Sequence, residues 1–177
     1  MVIAQDAQGS AAASPWVERA GGTYRALLDQ YSSLGKAYNL KYVPVGILVD
    51  EAGHLVRAVG DVNIDRGGFR SQLGGWVESG VIPRQWIEAD RREVPRGLSA
   101  AEVEADARFG LAIVQLEQGK RDEAIVELKE AFKLDPQNWL IRKQLWAIET
   151  PEAFYAAEVD YAWQREQVKK EDAVEGN

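Results

Sequence analysis

Residues 41–57, KYVPVGILVDEAGHLVR, require a β-sheet. Val45, Ile47, Leu48 and Val49 form a nearly continuous apolar run, as expected of a strand covered on both faces. Asp50 to Gly53 supply turn residues and His54 to Val59 return as a second strand, so the pattern predicts a hairpin. Pro44 opens the run; lacking a backbone N–H, it suits the first residue of a strand better than the middle.

The flanking stretches extend this to an α/β fold. MVIAQD at the N-terminus reads as one short strand. Ser14-Pro15 predicts an N-cap with proline at the first helical position, for a helix ending near Ala20 before Gly21-Gly22. YRALL reads as a short extended piece, and Ser32 or Ser33 starts a second helix carrying Leu34, Ala37, Tyr38 and Leu40. In residues 66–79, Phe69, Leu73, Trp76 and Val77 share one helical face. The four glycines of that stretch each cost roughly 1 kcal/mol against alanine, and Gly74-Gly75 are expected to allow close packing on the sheet. Residues 83–98, with Pro83, Pro95, Gly97 and a charged run, read as a loop linking two domains.

Beyond Leu98 every pattern is helical. Ser99 and Glu102 have capping-box spacing, opening a helix through Phe109, Leu111, Ile113 and Leu116 to Gly119. Ala124, Ile125, Leu128, Ala131 and Phe132 line a second helix, which stops at Asp135-Pro136. Trp139, Leu140, Leu145, Trp146 and Ile148 mark a third. A last helix begins at Thr150-Pro151 and gives way to a charged tail over 166–177. Trp139, Trp146, Phe154, Tyr155, Tyr161 and Trp163 concentrate aromatic rings in this part, expected mainly to pack a core, with an exposed partner patch as the alternative.

Composition narrows the function classes. The chain has 177 residues, 46% hydrophobic and 28% charged, in the range of an ordinary globular protein. No apolar stretch nears the roughly 20 residues of a membrane helix, and the N-terminus has no signal-peptide pattern, so the expected location is the cytoplasm, with no membrane partner. The net charge of −7 arises entirely beyond residue 98, where 17 acidic side chains face 10 basic ones. An acidic surface repels phosphate backbones, which argues against nucleic acid as a partner. There is no cysteine, which removes disulfides, thiolate metal sites and thiol nucleophiles.

Residues 105–138, ADARFGLAIVQLEQGKRDEAIVELKEAFKLDPQN, resemble a tetratricopeptide repeat, a helix-turn-helix unit of 34 residues. Leu111, Ala112, Gly119, Ala124, Leu128, Ala131 and Pro136 fall at the family's spaced small and large positions. Two departures stand out: Arg108 occupies a position that is normally aromatic, and only one full repeat is followed by a partial one at 139–148. Since solenoids need about three repeats, the region is expected to rest on its neighbouring domain, with a peptide-binding groove as the alternative. One groove type of the family grips C-terminal carboxylates with Lys and Asn. The corresponding positions here, Phe109, Ile113 and Leu116, lack that chemistry and stay as candidate partner contacts only.

Residues 1 to about 82 resemble the later part of a thioredoxin-like domain. MVIAQD is similar to the strand after the active-site helix, VPVGILVDEAGHLVR to the proline-led strand and its hairpin partner, and 66–79 to the closing helix. The resemblance implies a cis Val43-Pro44 bond at a site where substrate backbone docks, so Val43 and Pro44 are candidate binding residues. The family's Cys-x-x-Cys unit, where a helix N-terminus lowers a thiol pKa, has no counterpart. The sheet is then expected to lack a strand: either the sequence is truncated, or another chain or a repacked strand fills the gap, which would allow a homo-oligomer.

Other chemistry is sparse. His54 is the single histidine, at a hairpin end; without cysteine it does not suggest zinc. No nucleophile elbow, Walker or dinucleotide motif appears, and Asp50, Glu51, Asp61 and Asp65 read as turn residues. The expectation is a partial thioredoxin-like α/β domain (1–82), a linker (83–98) and an all-α tetratricopeptide-like region (99–165). Neither metal nor cofactor nor catalytic residue is expected. Such a chain would bind a protein or peptide partner without redox activity; the alternative is the C-terminal part of a thiol-disulfide oxidoreductase.

Overall fold

The computed structural model describes residues 1–92, 97–155 and 159–175. The chain mixes helices with two small sheets and forms two compact units, Met1–Ser33 with Ala100–Asn177, and Leu34–Ser99. This cuts across the linear division at residue 82, because the N-terminal segment packs among the C-terminal helices, where Ala7 is 1% exposed.

In the first unit, β1 (Val2–Ala4) pairs in parallel with β2 (Ala26–Leu28), with Ile3 opposite Leu27. Between them runs α1 (Ser10–Ala20). It starts four residues before the expected Ser14 cap, leaving Pro15 inside the helix. Gly9, at φ +84°, makes the turn into it: its N–H donates to the Asp6 carbonyl, and its own carbonyl accepts from the Ala12 and Ala13 N–H groups. Pro15, the sixth residue of the helix, has no N–H to offer the Ala11 carbonyl, so α1 forgoes one internal hydrogen bond there.

The helices follow the sequence pattern. α5 (Ala100–Glu117) and α6 (Arg121–Leu134) form a hairpin around Gly119, which sits at φ +73°, and α7 (Trp139–Glu149) packs on α6. Phe109, Ala112, Ile113, Ala124, Leu128, Ala131, Phe132, Ile141, Leu145 and Ile148 make one core. Asn138 caps α7 by accepting from the Leu140 and Ile141 N–H groups. Arg121 donates to the Ile148 carbonyl at 2.6 Å, satisfying an orphan acceptor at that helix's other end. Arg108 bridges the hairpin instead of packing an aromatic ring, pairing with Glu104 at 2.9 Å and Glu127 at 3.0 Å. α8 (Pro151–Phe154) follows, and α9 (Tyr161–Glu175) is helical through most of the expected tail. Trp163 approaches Trp146 edge-on at 5.6 Å, and Trp146 donates to Glu171 at 2.7 Å, so α9 lies on α7.

In the second unit, which opens with all but the first residue of the short helix α2 (Ser33–Ala37), the hairpin forms as expected: β3 (Gly46–Val49) pairs antiparallel with β4 (Leu55–Gly60). The Asp50 carboxylate accepts from the Ala52 and His54 N–H groups and holds the turn. The strand is not covered on both faces, since Val49 is 52% exposed. α3 (Gly67–Ser79) ends at Gly80 in the left-handed region. A Cβ on Gly74 or Gly75 would meet nothing within 4 Å, so these glycines do not serve close packing. That role falls to Gly46, whose Cβ would lie 2.2 Å from Val62 Cγ1.

Residues 84–92, read from sequence as loop, form α4 (Arg84–Arg92). Arg84 and Glu88 pair at 2.7 Å one turn apart, and Trp86 is buried against Phe69, Trp76 and Arg57, donating to Gln72 at 2.7 Å. Burial of one large ring anchors a helix that its polar composition conceals. Residues 93–96 of the expected linker, Pro95 among them, and the last two residues of the expected tail lie outside the described residues.

Candidate functional site

A polar assembly joins the turn after β1 to α7 and to Tyr155 beyond α8. Its centre is Gln144 of α7, buried on the face that carries Leu140, Ile141 and Ile148. The Gln144 side-chain oxygen accepts from the Ala7 N–H at 2.8 Å, and its amide nitrogen donates to the Gln5 carbonyl at 3.3 Å. One side chain thus reads the main chain at alternate residues, as a neighbouring strand would. Gln30 donates to the Ala7 carbonyl at 3.2 Å. Gln8 donates to the Ala147 carbonyl at 3.3 Å and to the Tyr155 hydroxyl at 2.8 Å.

Asp6 carries the charge of this assembly. Its carboxylate accepts from the Tyr155 hydroxyl at 2.8 Å and from the Gln8 N–H at 2.9 Å. Burial raises the carboxyl pKa above its ordinary value, and these two bonds oppose the rise. The same burial, with Asp6 beside it, pushes the Tyr155 phenol up as well. At the rim, Tyr31 donates to Glu117 at 2.7 Å, a bond that raises the phenol's pKa.

The residues singled out from sequence fall elsewhere. Phe109 and Ile113 are 2% and 0% exposed and Leu116 packs against them, so these three belong to the core and line no open groove. Their side chains fill the space between α5 and α6 that the small residues Ala124 and Ala131 leave. Val43 and Pro44 are exposed just ahead of β3, and the peptide bond between them is cis. His54 meets Asp50, at 3.1 Å on the surface. Among the described residues no three His, Asp or Glu side chains converge as a metal site would need, and no helix is long and apolar enough to cross a membrane.

Sequence reasoning missed Gln144, Asp6 and Tyr155. The available signal was Gln144 itself, a neutral amide on the apolar face of α7, where an unpaired polar group would be costly. The chain matches no protein-family model, no curated protein and no solved structure.

Proposed function

We propose that the chain is a non-catalytic protein-binding module, thioredoxin-like in its α/β part and tetratricopeptide-like in its helices. One observation carries this reading: Gln144 holds an extended segment of the chain by its main chain, through Gln5 and Ala7. Main-chain recognition is indifferent to most side chains, so the same amide suits an extended segment of a partner. Asp6 adds a preference for an acidic residue between the two contacted positions, met by the Tyr155 hydroxyl. The absence of any cysteine removes thiol-disulfide exchange from the repertoire of these residues.

The internal segment competes with any partner, so its release governs affinity. The test uses a labelled peptide of residues 1–12, MVIAQDAQGSAA, added to the full chain. Asp6→Lys should unhook the internal segment and bind the peptide more tightly than the unaltered chain does. The double variant carrying Gln144→Leu should lose that gain. Equal, negligible binding by all three chains overturns the reading, as does insulin-disulfide reduction by the purified chain.

A further inference from the structure

A second site, independent of the Gln144 assembly, lies between α7 and α9. A pocket of about 550 Å³ is lined by Trp139 and Lys143 of α7 and by Tyr161, Gln164, Arg165, Val168 and Lys169 of α9. The spacing explains the convergence. Trp139 and Lys143 are one turn apart on α7, and Tyr161, Arg165, Val168 and Lys169 recur on one face of α9. Aromatic and aliphatic surface forms the walls, and three cationic side chains enter.

Among the described residues, those cations meet no carboxylate. The neighbouring Arg142 has a counter-charge: its Nε lies 3.1 Å from Glu171 Oε2, an ion pair without hydrogen-bond geometry, and its guanidinium lies over the Phe132 and Trp139 rings at 4.7 and 4.6 Å. Lys143, Arg165 and Lys169 have no acidic partner among the described residues. Three unpaired cations at one pocket run against the composition of this part of the chain, where acidic side chains outnumber basic ones 17 to 10. Lys143 is the most telling, because it is half-buried and burial alone holds its ammonium below the ordinary lysine range. A charge drawn out of water without a counter-ion is unfavourable, and an incoming anion relieves that cost.

We propose that this pocket binds a small organic anion, a carboxylate or phosphate on an aromatic body, with Lys143, Arg165 and Lys169 taking the charge and Trp139 and Tyr161 the ring. The volume suits a ligand of small-molecule size. Trp and Tyr offer flat apolar faces to a ring, while the two lysines and the arginine act as point and forked donors to the anion.

Calorimetric titration of the full chain at low salt with 2-naphthoate, 2-naphthyl phosphate and uncharged 2-naphthamide tests this. At least one anion should bind about tenfold more tightly than the amide, equivalent to about 1.4 kcal/mol; the better of the two identifies the head group. Lys143→Met and Arg165→Gln should each weaken the anion several-fold and leave the amide unchanged, whereas Lys120→Met, outside the pocket, should change neither. Arg165 is exposed, so its variant gives the answer even if Lys143→Met fails to fold. The proposal is overturned if the amide matches both anions, if none of the three binds, or if the pocket variants bind the anion as the unaltered chain does.

Discussion

The Tyr155 hydroxyl donates to the Asp6 carboxylate at 2.8 Å across 149 positions of sequence, closing the helical array onto the N-terminal turn. The bond is made to a carboxyl that burial disfavours as an ion, so its contribution depends on pH. Burial raises the folded-state pKa of Asp6 above 3.8, more than Tyr155 and Gln8 lower it. The folded chain therefore holds this proton more firmly than the unfolded one. Its stabilisation is complete below the unfolded pKa and is lost as pH rises through the folded value. Asp6→Asn cannot ionise and should gain stability relative to the unaltered chain as pH climbs from 3 to 7. Urea midpoints across that range measure it, and a constant offset between the two chains contradicts it. Tyr155→Phe should remove about 1.5–3 kcal/mol at neutral pH, the usual worth of a hydrogen bond to a charged group.

Gln144→Leu keeps the side chain's bulk but strands the buried Ala7 N–H and the part-buried Gln5 carbonyl. Leaving such groups unpaired costs about 1–3 kcal/mol each. The loss should be local as well as global. Hydrogen exchange at the Ala7 amide should accelerate in this variant by more than the drop in overall stability accounts for, because residues 5–8 can lift away while α5, α6 and α7 stay packed. Unchanged protection at Ala7 would show that the segment is held by something other than Gln144.

Elements with strong local periodicity were legible in the sequence, and those fixed by distant partners were not. The α5–α6 hairpin, the turn at Asp50 to Gly53 and the helix over 67–79 each follow from spacing, capping or turn chemistry within a few residues. α4 was hidden because its stabilising contacts, Trp86 with Phe69, Trp76 and Gln72, come from outside the helix. The start of α1 was misplaced because Ser14-Pro15 carries a strong local cap signal, while the turn at Gly9 answers to the docking of residues 5–8. The Gln144 assembly joins residues 5–8 to 144–155, a separation over which no periodicity extends. Phe109 and Ile113 were read by position in a repeat, and burial is a property that position alone does not supply.

The glycines of α3 and β3 should respond in opposite ways. Gly74 and Gly75 sit in a helix interior with open space around an added Cβ. Alanine at either should stabilise by about 0.5–1 kcal/mol, chiefly by restricting the unfolded chain. Gly46→Ala places a Cβ 2.2 Å from Val62 Cγ1, and a β-branched side chain has little room to yield. That substitution should cost about 1–3 kcal/mol, and adding Val62→Ala should recover part of the loss. Thermal midpoints of the four variants against the unaltered chain decide the matter; a stabilising Gly46→Ala would mean that the hairpin and Val62 are not in contact in solution.

Phe109 and Ile113 separate a core role from a contact role most cleanly. Both are among the largest fully enclosed side chains in the first unit, surrounded by Ala105, Ala112, Ala124, Leu128 and Ile148. Phe109→Ala should therefore cost about 3–5 kcal/mol and Ile113→Val about 0.5–1.5 kcal/mol. Leu111, on the same helix but exposed, should tolerate alanine within about 0.5 kcal/mol. Chemical denaturation gives all three values, and the slope with denaturant should stay constant if only packing changes. A Phe109→Ala chain as stable as the unaltered one would remove Phe109 from the core and return it to the surface as a contact residue. Retained stability at Leu111→Ala beside a large loss at Phe109→Ala would fix which face of α5 looks inward, and with it the side of the helix on which α6 and the N-terminal turn are held.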